Sequence, residues 1–271
     1  MKTSTRFIFL GLVLSACTAS AIITGNNSIA ESAPTGDWNV NWANVYNYKN
    51  CSSVAVDSYW ILTAKHVADD GGTGTITSGA GTHTQQEIVY HPSADLALVR
   101  YDRAFAGYYS LYTGSFSVGD DMVMIGYGNT GTVSSASFRD SGSGRGTKRW
   151  GSNEYSYNQT FSYGIGGSVT TTNDGFWMGF SNSSTTNEAG VGIYDSGGGS
   201  FINDGGTWKL AGINTTRSGA SGNYVSSFAV SVPEYADWIN ETVPEPSTTL
   251  LLLCASGVVG LIRYFHRYYS S

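Results

Sequence analysis

The sequence predicts an all-β protein, and three observations support this class. The chain of 271 residues contains 35 glycines and 18 tyrosines, a composition that is typical of short strands joined by tight turns. Only 13% of the residues are charged, and leucine-rich stretches with helical spacing are few. Residues 22–242, which lie between two segments that look like processing signals, are long enough for one large all-β domain or two small ones.

The net charge and the positions of the cysteines bear on the partners of the protein and on its disulfides. The net charge is −6, the pI is about 5.1 and no cluster of basic residues is present, so nucleic acid is not expected as a partner. Of the three cysteines, Cys17 lies in the N-terminal leader and Cys254 in an apolar C-terminal run. Only Cys51 remains in the expected folded body, so no internal disulfide is predicted there.

The N-terminus reads as an export signal. A basic start, the apolar run Phe7–Leu14 and the small residues that end at Ala21 predict a signal peptide over residues 1–21. Cleavage after Ala21 would make Ile22 the first residue of the mature chain. A second possibility stays open, because Cys17 follows Leu-Ser-Ala as in a lipoprotein box and would then be the lipidated N-terminus.

The segment Cys51–Val67 predicts a β-hairpin that ends in a histidine. Asp57 and Ser58 are turn residues, and the apolar run Tyr59–Leu62 is typical of a strand. His66 follows directly after this strand. It could be a buried structural histidine, but its position after Thr-Ala-Lys favours a catalytic role.

Asp95 is the second candidate for chemistry. It leads directly into the apolar run Leu96–Val99, which predicts a buried strand. A carboxylate at the start of such a strand is costly unless it has a partner. A catalytic histidine such as His66 would be one.

The third candidate is the loop Gly192–Ser200. Ser196 follows the acid Asp195 and precedes three glycines, which leave room around its hydroxyl and permit unusual backbone angles. Asp-Ser-Gly-Gly is also good turn chemistry anywhere in a protein, so by itself the loop could be a simple turn between two strands.

Together these segments resemble the trypsin/chymotrypsin-like serine peptidases. Thr63–His66 is similar to the family's Thr-Ala-Ala-His, Asp95–Leu98 to Asp-Ile-Ala-Leu, and Tyr194–Gly199 to Gly-Asp-Ser-Gly-Gly-Pro. The chain order histidine, aspartate, serine separates this resemblance from subtilisin-like enzymes and α/β-hydrolases.

The resemblance implies two antiparallel six-stranded β-barrels and a short C-terminal helix. The first barrel would span about residues 22–118 and the second about residues 119–242. Pro233–Ile239 is similar to the helix that ends the family's fold, with proline in its first turn.

The family's catalytic roles carry over to matching positions. His66, Asp95 and Ser196 would form the triad, and the backbone N–H groups of Tyr194 and Ser196 would form the oxyanion hole. Tyr194 stands where the family has glycine. The oxyanion hole could therefore be normal but strained, formed only on substrate binding, or defective.

The resemblance also implies an activating ion pair and a substrate pocket. In the family, the new N-terminal ammonium pairs with the aspartate before the nucleophile; here the pair would be Ile22 and Asp195. Matching positions in the pocket are Gly190 at the base, with Thr215 and Arg217 on the wall. Because Gly190 replaces the acid of trypsins, a preference for Lys or Arg is not supported, and the side-chain preference stays open.

Residues 134–151 form a Gly/Ser-rich stretch with four basic residues, for which we expect a solvated surface loop.

The C-terminal residues 243–271 begin with Val-Pro-Glu-Pro, continue with an apolar segment at 248–262 and end in a basic tail. This order resembles the PEP-CTERM sorting signal of Gram-negative bacteria. It implies transient membrane contact and cleavage by an exosortase-type enzyme, with a retained anchor as the alternative.

We therefore expect an exported serine endopeptidase that works through an acyl-enzyme. Signal peptidase and an exosortase would process it, and its location would be the periplasm, the cell surface or the extracellular matrix. Its substrate would be protein or peptide, and we expect a monomer without a cofactor or metal. A catalytically weak binding or surface module on the same fold is the alternative, because Tyr194 and Arg217 depart from the family pattern.

Overall fold

The computed structural model describes residues 22–25, 30–166 and 169–243. Within these residues the chain is mostly β, with two α-helices, α1 (Lys65–Asp69) and α2 (Val232–Thr242), and two short 3-10 turns. The strands are β1 (Ile23–Thr24), β2 (Val45–Tyr48), β3 (Cys51–Ala55), β4 (Trp60–Thr63), β5 (Ile76–Ser78), β6 (Gly81–His83), β7 (Gln85–Tyr90), β8 (Ala97–Tyr101), β9 (Asp121–Gly126), β10 (Gly131–Val133), β11 (Phe138–Asp140), β12 (Arg149–Gly164), β13 (Thr170–Gly179), β14 (Ala189–Gly190), β15 (Gly199–Asp204), β16 (Thr207–Ala220) and β17 (Asn223–Ser231).

The first half of the chain forms a five-stranded antiparallel sheet in the order β2-β3-β4-β8-β7, and β5 and β6 pair as a separate hairpin. β4 and β8 lie side by side, with Thr63 opposite Ala97. Because the strands are antiparallel, the end of β4 and the start of β8 lie at the same edge of the sheet. His66 and Asp95, which follow β4 and precede β8, are therefore brought together by this pairing.

The second half forms an eight-stranded sheet that closes on itself. β17, β13, β12, β9, β15 and β16 pair in that order, and a further pairing of β16 with β17 completes a ring of six strands. β10 and β11 extend this sheet outside the ring. β15 begins at Gly199, so the loop that contains Ser196 leads directly into a ring strand.

The β12–β13 hairpin is longer than the ring requires. β12 pairs with β9 only up to Glu154, whereas its pairing with β13 continues to Gly164. The outer part of the hairpin reaches the first half of the chain, where the Thr172 N–H donates to the carbonyl of Ser93 at 3.1 Å.

The principal core is continuous across the two halves. Val54 and Leu62 from the first sheet belong to the same buried cluster as Phe201, Ile213 and Phe228 from the second. Burial of one such side chain contributes about 1.5–3 kcal/mol. Because the two halves share this core, the position of one half relative to the other, and hence the cleft between them, is fixed.

The N-terminal strand β1 lies with the second half, although the predicted first barrel included it. Ile23 pairs with Gly190 of β14, and both Ile22 and Ile23 are fully buried.

The C-terminal helix α2 begins with proline in its first turn and buries Tyr235 and Ile239. No helix among the described residues is long and apolar enough to cross a membrane. The predicted signal peptide, Cys17, Cys254 and the apolar segment 248–262 lie outside the described residues.

Candidate active site

His66 and Asp95 form a close pair. His66 Nδ1 lies 2.7 Å from Asp95 Oδ2, and the backbone N–H of His66 donates to Asp95 Oδ1 at 2.9 Å. Asp95 is fully buried, whereas a quarter of the His66 side chain is exposed. The carboxylate thus fixes both the backbone and the ring of the histidine, and the other ring nitrogen remains available toward the cleft.

Two further contacts to Asp95 come from the β12–β13 hairpin. The Tyr163 hydroxyl donates to Asp95 Oδ2 at 2.9 Å, and the backbone N–H of Asp95 donates to Asn173 Oδ1 at 2.6 Å. Burial, and next the negative charge of Asp95, raise the pKa of Tyr163 far above its usual value, so the phenol stays a donor. The sequence carried no signal for Tyr163 or Asn173, because both reach Asp95 from a distant hairpin.

Ser196 lies in the same cleft as His66. The cleft has a volume of about 310 Å³ and is lined by Cys51, His66, Asp70, Val191, Gly192, Ile193, Tyr194, Ser196, Thr215, Thr216 and Arg217. The Ser196 hydroxyl donates to the carbonyl of Thr215 at 3.2 Å. Its hydrogen bond is therefore directed to the cleft wall, and transfer of its proton to His66 requires a rotation of the serine side chain.

The peptide bond between Ile193 and Tyr194 is held in a defined orientation. Its carbonyl accepts a hydrogen bond of 2.7 Å from the Asn129 N–H. In a trans peptide the N–H points opposite to the carbonyl, so the Tyr194 N–H is directed away from Asn129. Among the described residues, neither the Tyr194 N–H nor the Ser196 N–H has an acceptor.

Tyr194 adopts the left-handed backbone conformation, with φ at 73°. This conformation costs an ordinary residue about 1–2 kcal/mol. The Arg145 guanidinium lies 3.8 Å from the centre of the tyrosine ring, and Arg145 Nε donates to the Asn50 carbonyl at 2.9 Å. Arg145 therefore packs on Tyr194 while it remains exposed, as expected of the solvated loop at 134–151.

The expectation of a solvated loop is wrong for Arg149. Its side chain is fully buried and forms an ion pair with Glu31 at 2.9 Å. It also donates to the Thr147 carbonyl at 3.0 Å, which ties the loop to the second sheet.

Asp195 is fully buried beside the N-terminal segment. Its carboxylate accepts from the N–H groups of Gly128 at 2.8 Å and Gly192 at 2.7 Å, and from the backbone nitrogen of Ile22 at 3.1 Å. Burial raises the pKa of Asp195 to about 7, an effect that these backbone donors partly offset. The structure thus brings together Ile22 and Asp195, the two residues of the predicted ion pair.

The expected pocket residues have different fates. Thr215 and Arg217 line the cleft, whereas Gly190 pairs with Ile23 of β1 and does not line the cleft. A side chain at Gly190 would meet the Phe138 ring at 2.3 Å. Counting back along the chain from Ser196 could not reveal this, because Phe138 comes from another strand.

Arg217 forms an ion pair that the sequence did not indicate. Its Nη1 lies 3.1 Å from Asp140 Oδ2. Burial alone would raise the pKa of Asp140, but hydrogen bonds from the Ile193 and Gly142 N–H groups and from Arg217 outweigh it and lower the pKa. Asp140 is therefore a stable carboxylate at the edge of the cleft.

Cys51 is a free, buried thiol. Burial raises its pKa to about 12, so the thiol stays protonated and unreactive at neutral pH. In the described part of the chain, no group of His, Cys, Asp and Glu side chains is arranged to hold a metal ion.

Comparisons with known proteins agree with this geometry. No curated protein matches the chain. Among solved structures, the active form of the Rv3671c protease from M. tuberculosis matches with a TM-score of 0.55 and 16% identity, covering 76% of this chain and 82% of that chain. The inactive form of the same protease matches with a TM-score of 0.52 and 16% identity, covering 75% and 90%. At this identity the likeness shows a shared fold, and the expected all-β, trypsin-like architecture is confirmed.

Two family profiles match the sequence itself. The PEP-CTERM protein-sorting motif matches residues 242–267, which implies export in a Gram-negative bacterium and processing of the C-terminal tail. The Trypsin family matches residues 29–239, most of the chain. The protein therefore belongs to the trypsin family of serine proteases.

Proposed function

We propose that the protein is an exported serine endopeptidase that hydrolyses peptide bonds through His66, Asp95 and Ser196. The observation that carries this proposal is the 2.7 Å contact of His66 Nδ1 with the buried Asp95, beside a cleft that also exposes Ser196. A histidine oriented in this way can accept a proton at Nε2 and keep its other N–H on the carboxylate.

The reaction begins when the Ser196 hydroxyl turns from the Thr215 carbonyl toward His66 Nε2. Its oxygen attacks the scissile carbonyl carbon while His66 takes the proton. The C–N bond then breaks, His66 gives the proton to the leaving amine, and the acyl group remains on Ser196. Water, activated by the same histidine, hydrolyses this ester and restores the serine.

The negative oxygen of the tetrahedral intermediate would bind the N–H groups of Tyr194 and Ser196. Asn129 holds the Ile193 carbonyl away from this position, which supports a preformed oxyanion hole. Loss of one such donor raises the barrier by about 3–4 kcal/mol. Of the three outcomes considered for Tyr194, the geometry favours a normal hole that carries backbone strain.

We further propose that signal peptidase produces the activating N-terminus. Cleavage after Ala21 would turn the Ile22 nitrogen, 3.1 Å from Asp195, into an ammonium group beside a buried carboxylate. Ile22 is β-branched and has φ at 48°, a strained value that has meaning only while the peptide bond to Ala21 exists. Cleavage would remove this strain. N-terminal sequencing of the exported protein tests the proposal, which a start at Cys17 or well beyond Ile22 would overturn.

The PEP-CTERM motif at residues 242–267 supports the rest of the processing. The tail would hold the exported chain at the membrane until an exosortase-type enzyme removes it. The mature enzyme would then act on protein substrates as a monomer in the periplasm, at the cell surface or in the extracellular matrix.

A fluorophosphonate probe tests the nucleophile directly, because it reacts with an activated serine. The wild-type protein should be labelled and should digest casein, whereas Ser196→Ala should do neither. Ser135→Ala is a matched control, since Ser135 is an exposed serine on a surface loop. Absence of labelling in correctly processed, folded protein would favour the catalytically weak binding module instead.

A further inference from the structure

The cleft beside Ser196 has two walls. Val191–Ile193 form one wall, and Thr215–Arg217 of β16 form the other. When a scissile carbonyl lies against Ser196, the side chain of the residue on its acyl side must enter the slot between these walls. The width and charge of this slot therefore select that residue, which we call the acyl-side residue.

Arg217 bridges the slot. From one wall, its Nη1 donates to the Val191 carbonyl of the other wall at 3.2 Å, as well as to Asp140 Oδ2 at 3.1 Å. Its guanidinium also lies 3.8 Å from the centre of the Tyr224 ring, and only 11% of the side chain is exposed. The arginine is thus held on three sides and is not a mobile surface group.

The opposite wall is fixed as well. The Val191 N–H donates to Ser227 Oγ at 3.0 Å, while its carbonyl accepts from Arg217. With both backbone groups of Val191 bonded, a long side chain cannot push this wall aside without breaking a hydrogen bond. Breaking such a buried hydrogen bond would leave a polar group without a partner, which is unfavourable.

The charges in the slot are already matched. Asp140 Oδ2 accepts from Arg217 Nη1 and the Ile193 N–H, and Oδ1 accepts from the Gly142 N–H and Asn129 Nδ2. A carboxylate has about four lone-pair sites, so those of Asp140 are all in use. A basic side chain would find no free acceptor on Asp140, and an acidic one would meet an arginine that is already neutralised.

We infer that the Arg217–Asp140 ion pair closes the slot, so that the enzyme cleaves after residues with short, uncharged side chains such as alanine, glycine and serine. This inference rests on the proposed peptidase function and names its substrate class. Arg217 acts here as a specificity residue, because it excludes longer side chains sterically and its pairing with Asp140 leaves no free partner for charged ones.

Fluorogenic peptides that differ only in the acyl-side residue test the inference. The processed wild-type enzyme should hydrolyse the alanine peptide with a kcat/KM at least about tenfold above those of the phenylalanine, lysine and glutamate peptides, the range that pocket contacts can supply. Arg217→Gly should open the slot and raise the kcat/KM for the phenylalanine and leucine peptides, relative to that for the alanine peptide, by about tenfold or more. Arg217→Ala also removes the long side chain, but it leaves the backbone of β16 less flexible than glycine would. It should shift the dependence of kcat/KM on the acyl-side residue in the same direction.

Arg139→Ala is the matched control. Arg139 lies on β11 beside Asp140, but its guanidinium donates to Asn223 Oδ1 at 3.1 Å on the surface. This variant should keep the wild-type profile. Efficient wild-type cleavage after glutamate, lysine or phenylalanine, or an unchanged profile in both Arg217 variants, would overturn the inference.

The fluorophosphonate probe separates the two possible failures. If Ser196 is labelled but the alanine peptide is not preferred, the inference is wrong and the peptidase proposal stands. If correctly processed protein is not labelled at all, the peptidase proposal itself fails, and the inference fails with it.

Discussion

The Tyr163 hydroxyl donates to Asp95 Oδ2 at 2.9 Å and so connects the second half of the protein to the acid of the first. Tyr163→Phe keeps the ring but leaves a buried carboxylate oxygen with one donor fewer, which should destabilise the fold by about 1–3 kcal/mol. We expect kcat to fall on the order of tenfold, which corresponds to about 1.4 kcal/mol in the barrier, with KM unchanged. Steady-state kinetics and thermal unfolding measure both effects.

Tyr157→Phe is the control for this prediction, because the Tyr157 ring lies on the same strand and is 54% exposed. It should change neither kcat nor stability. If Tyr163→Phe lowers stability but leaves kcat intact, Tyr163 serves only in packing and does not position Asp95.

Gly128 should be essential for the conformation of the loop that carries the proposed oxyanion donors, the N–H groups of Tyr194 and Ser196. A Cβ at this position would lie 2.5 Å from the Ile193 carbonyl oxygen and 2.6 Å from the backbone nitrogen of Asp195. Gly128→Ala must therefore displace the peptide that presents the Tyr194 N–H, and the fluorophosphonate labelling rate should fall by about 100-fold or more. Gly79→Ala should have no effect, since no atom outside the adjoining residues lies within 4 Å of a Cβ at this position. Wild-type labelling of Gly128→Ala would contradict a preformed hole.

Tyr194 and Arg145 should be energetically coupled. Tyr194→Gly removes about 1–2 kcal/mol of left-handed backbone strain but also the ring that Arg145 stacks on. Because an exposed cation–π contact contributes about 0.5–1 kcal/mol, Arg145→Ala should destabilise the wild-type protein by about that much more than it destabilises the Tyr194→Gly variant. In the Tyr194→Gly background, Arg145→Ala removes only the hydrogen bond to Asn50, and a double-mutant cycle by chemical denaturation measures the difference between the two backgrounds. Equal effects of Arg145→Ala in both backgrounds would exclude the coupling.

The ion pair of Ile22 and Asp195 predicts a pH dependence that differs between two forms of the protein. In an extended chain that retains the residues before Ile22, the Ile22 nitrogen is a neutral amide and the Asp195 pKa has the raised value of about 7. The unfolded value is about 3.9, so between these pH values the folded state binds more protons than the unfolded state. The stability of the extended chain should therefore fall as pH rises from about 4 to 7, and then level off.

A chain that begins at Ile22 should not show this loss. Its ammonium group favours the ionised carboxylate and lowers the Asp195 pKa. Thermal unfolding of both forms at several pH values between 4 and 8 makes the comparison. Parallel curves would show that the N-terminal charge does not reach Asp195.

The sequence predicted the triad segments because each carries a local signal. Thr63–His66 follows a β-prone run, Asp95 leads an apolar strand, and Ser196 precedes three glycines. The antiparallel pairing of Thr63 with Ala97 then brings His66 and Asp95 together. The assignment of the protein to the trypsin family was predictable for the same reason.

The supporting contacts were not predictable, because they depend on strands far apart in the chain. Tyr163 is 68 residues from Asp95, and Arg217 is 77 residues from Asp140. Neither member of these pairs stands in a local pattern that indicates its partner. The prediction that Gly190 forms the base of the pocket is wrong for a related reason. Its position in the sequence matches that of a pocket base, but in the fold it packs against the Phe138 ring.

The contacts of Asp140 imply that substrate selectivity can change by mutation more easily than the catalytic rate can. It holds the Ile193 N–H and the Asn129 side chain, while the Asn129 backbone holds the Ile193 carbonyl. A substitution at Asp140 would therefore loosen the peptide that presents the oxyanion donor, whereas a substitution at Arg217 leaves those bonds in place. Under the proposed roles, substitutions at Arg217 would change the substrate preference with little loss of rate, whereas substitutions at Asp140 would reduce the rate for every substrate alike.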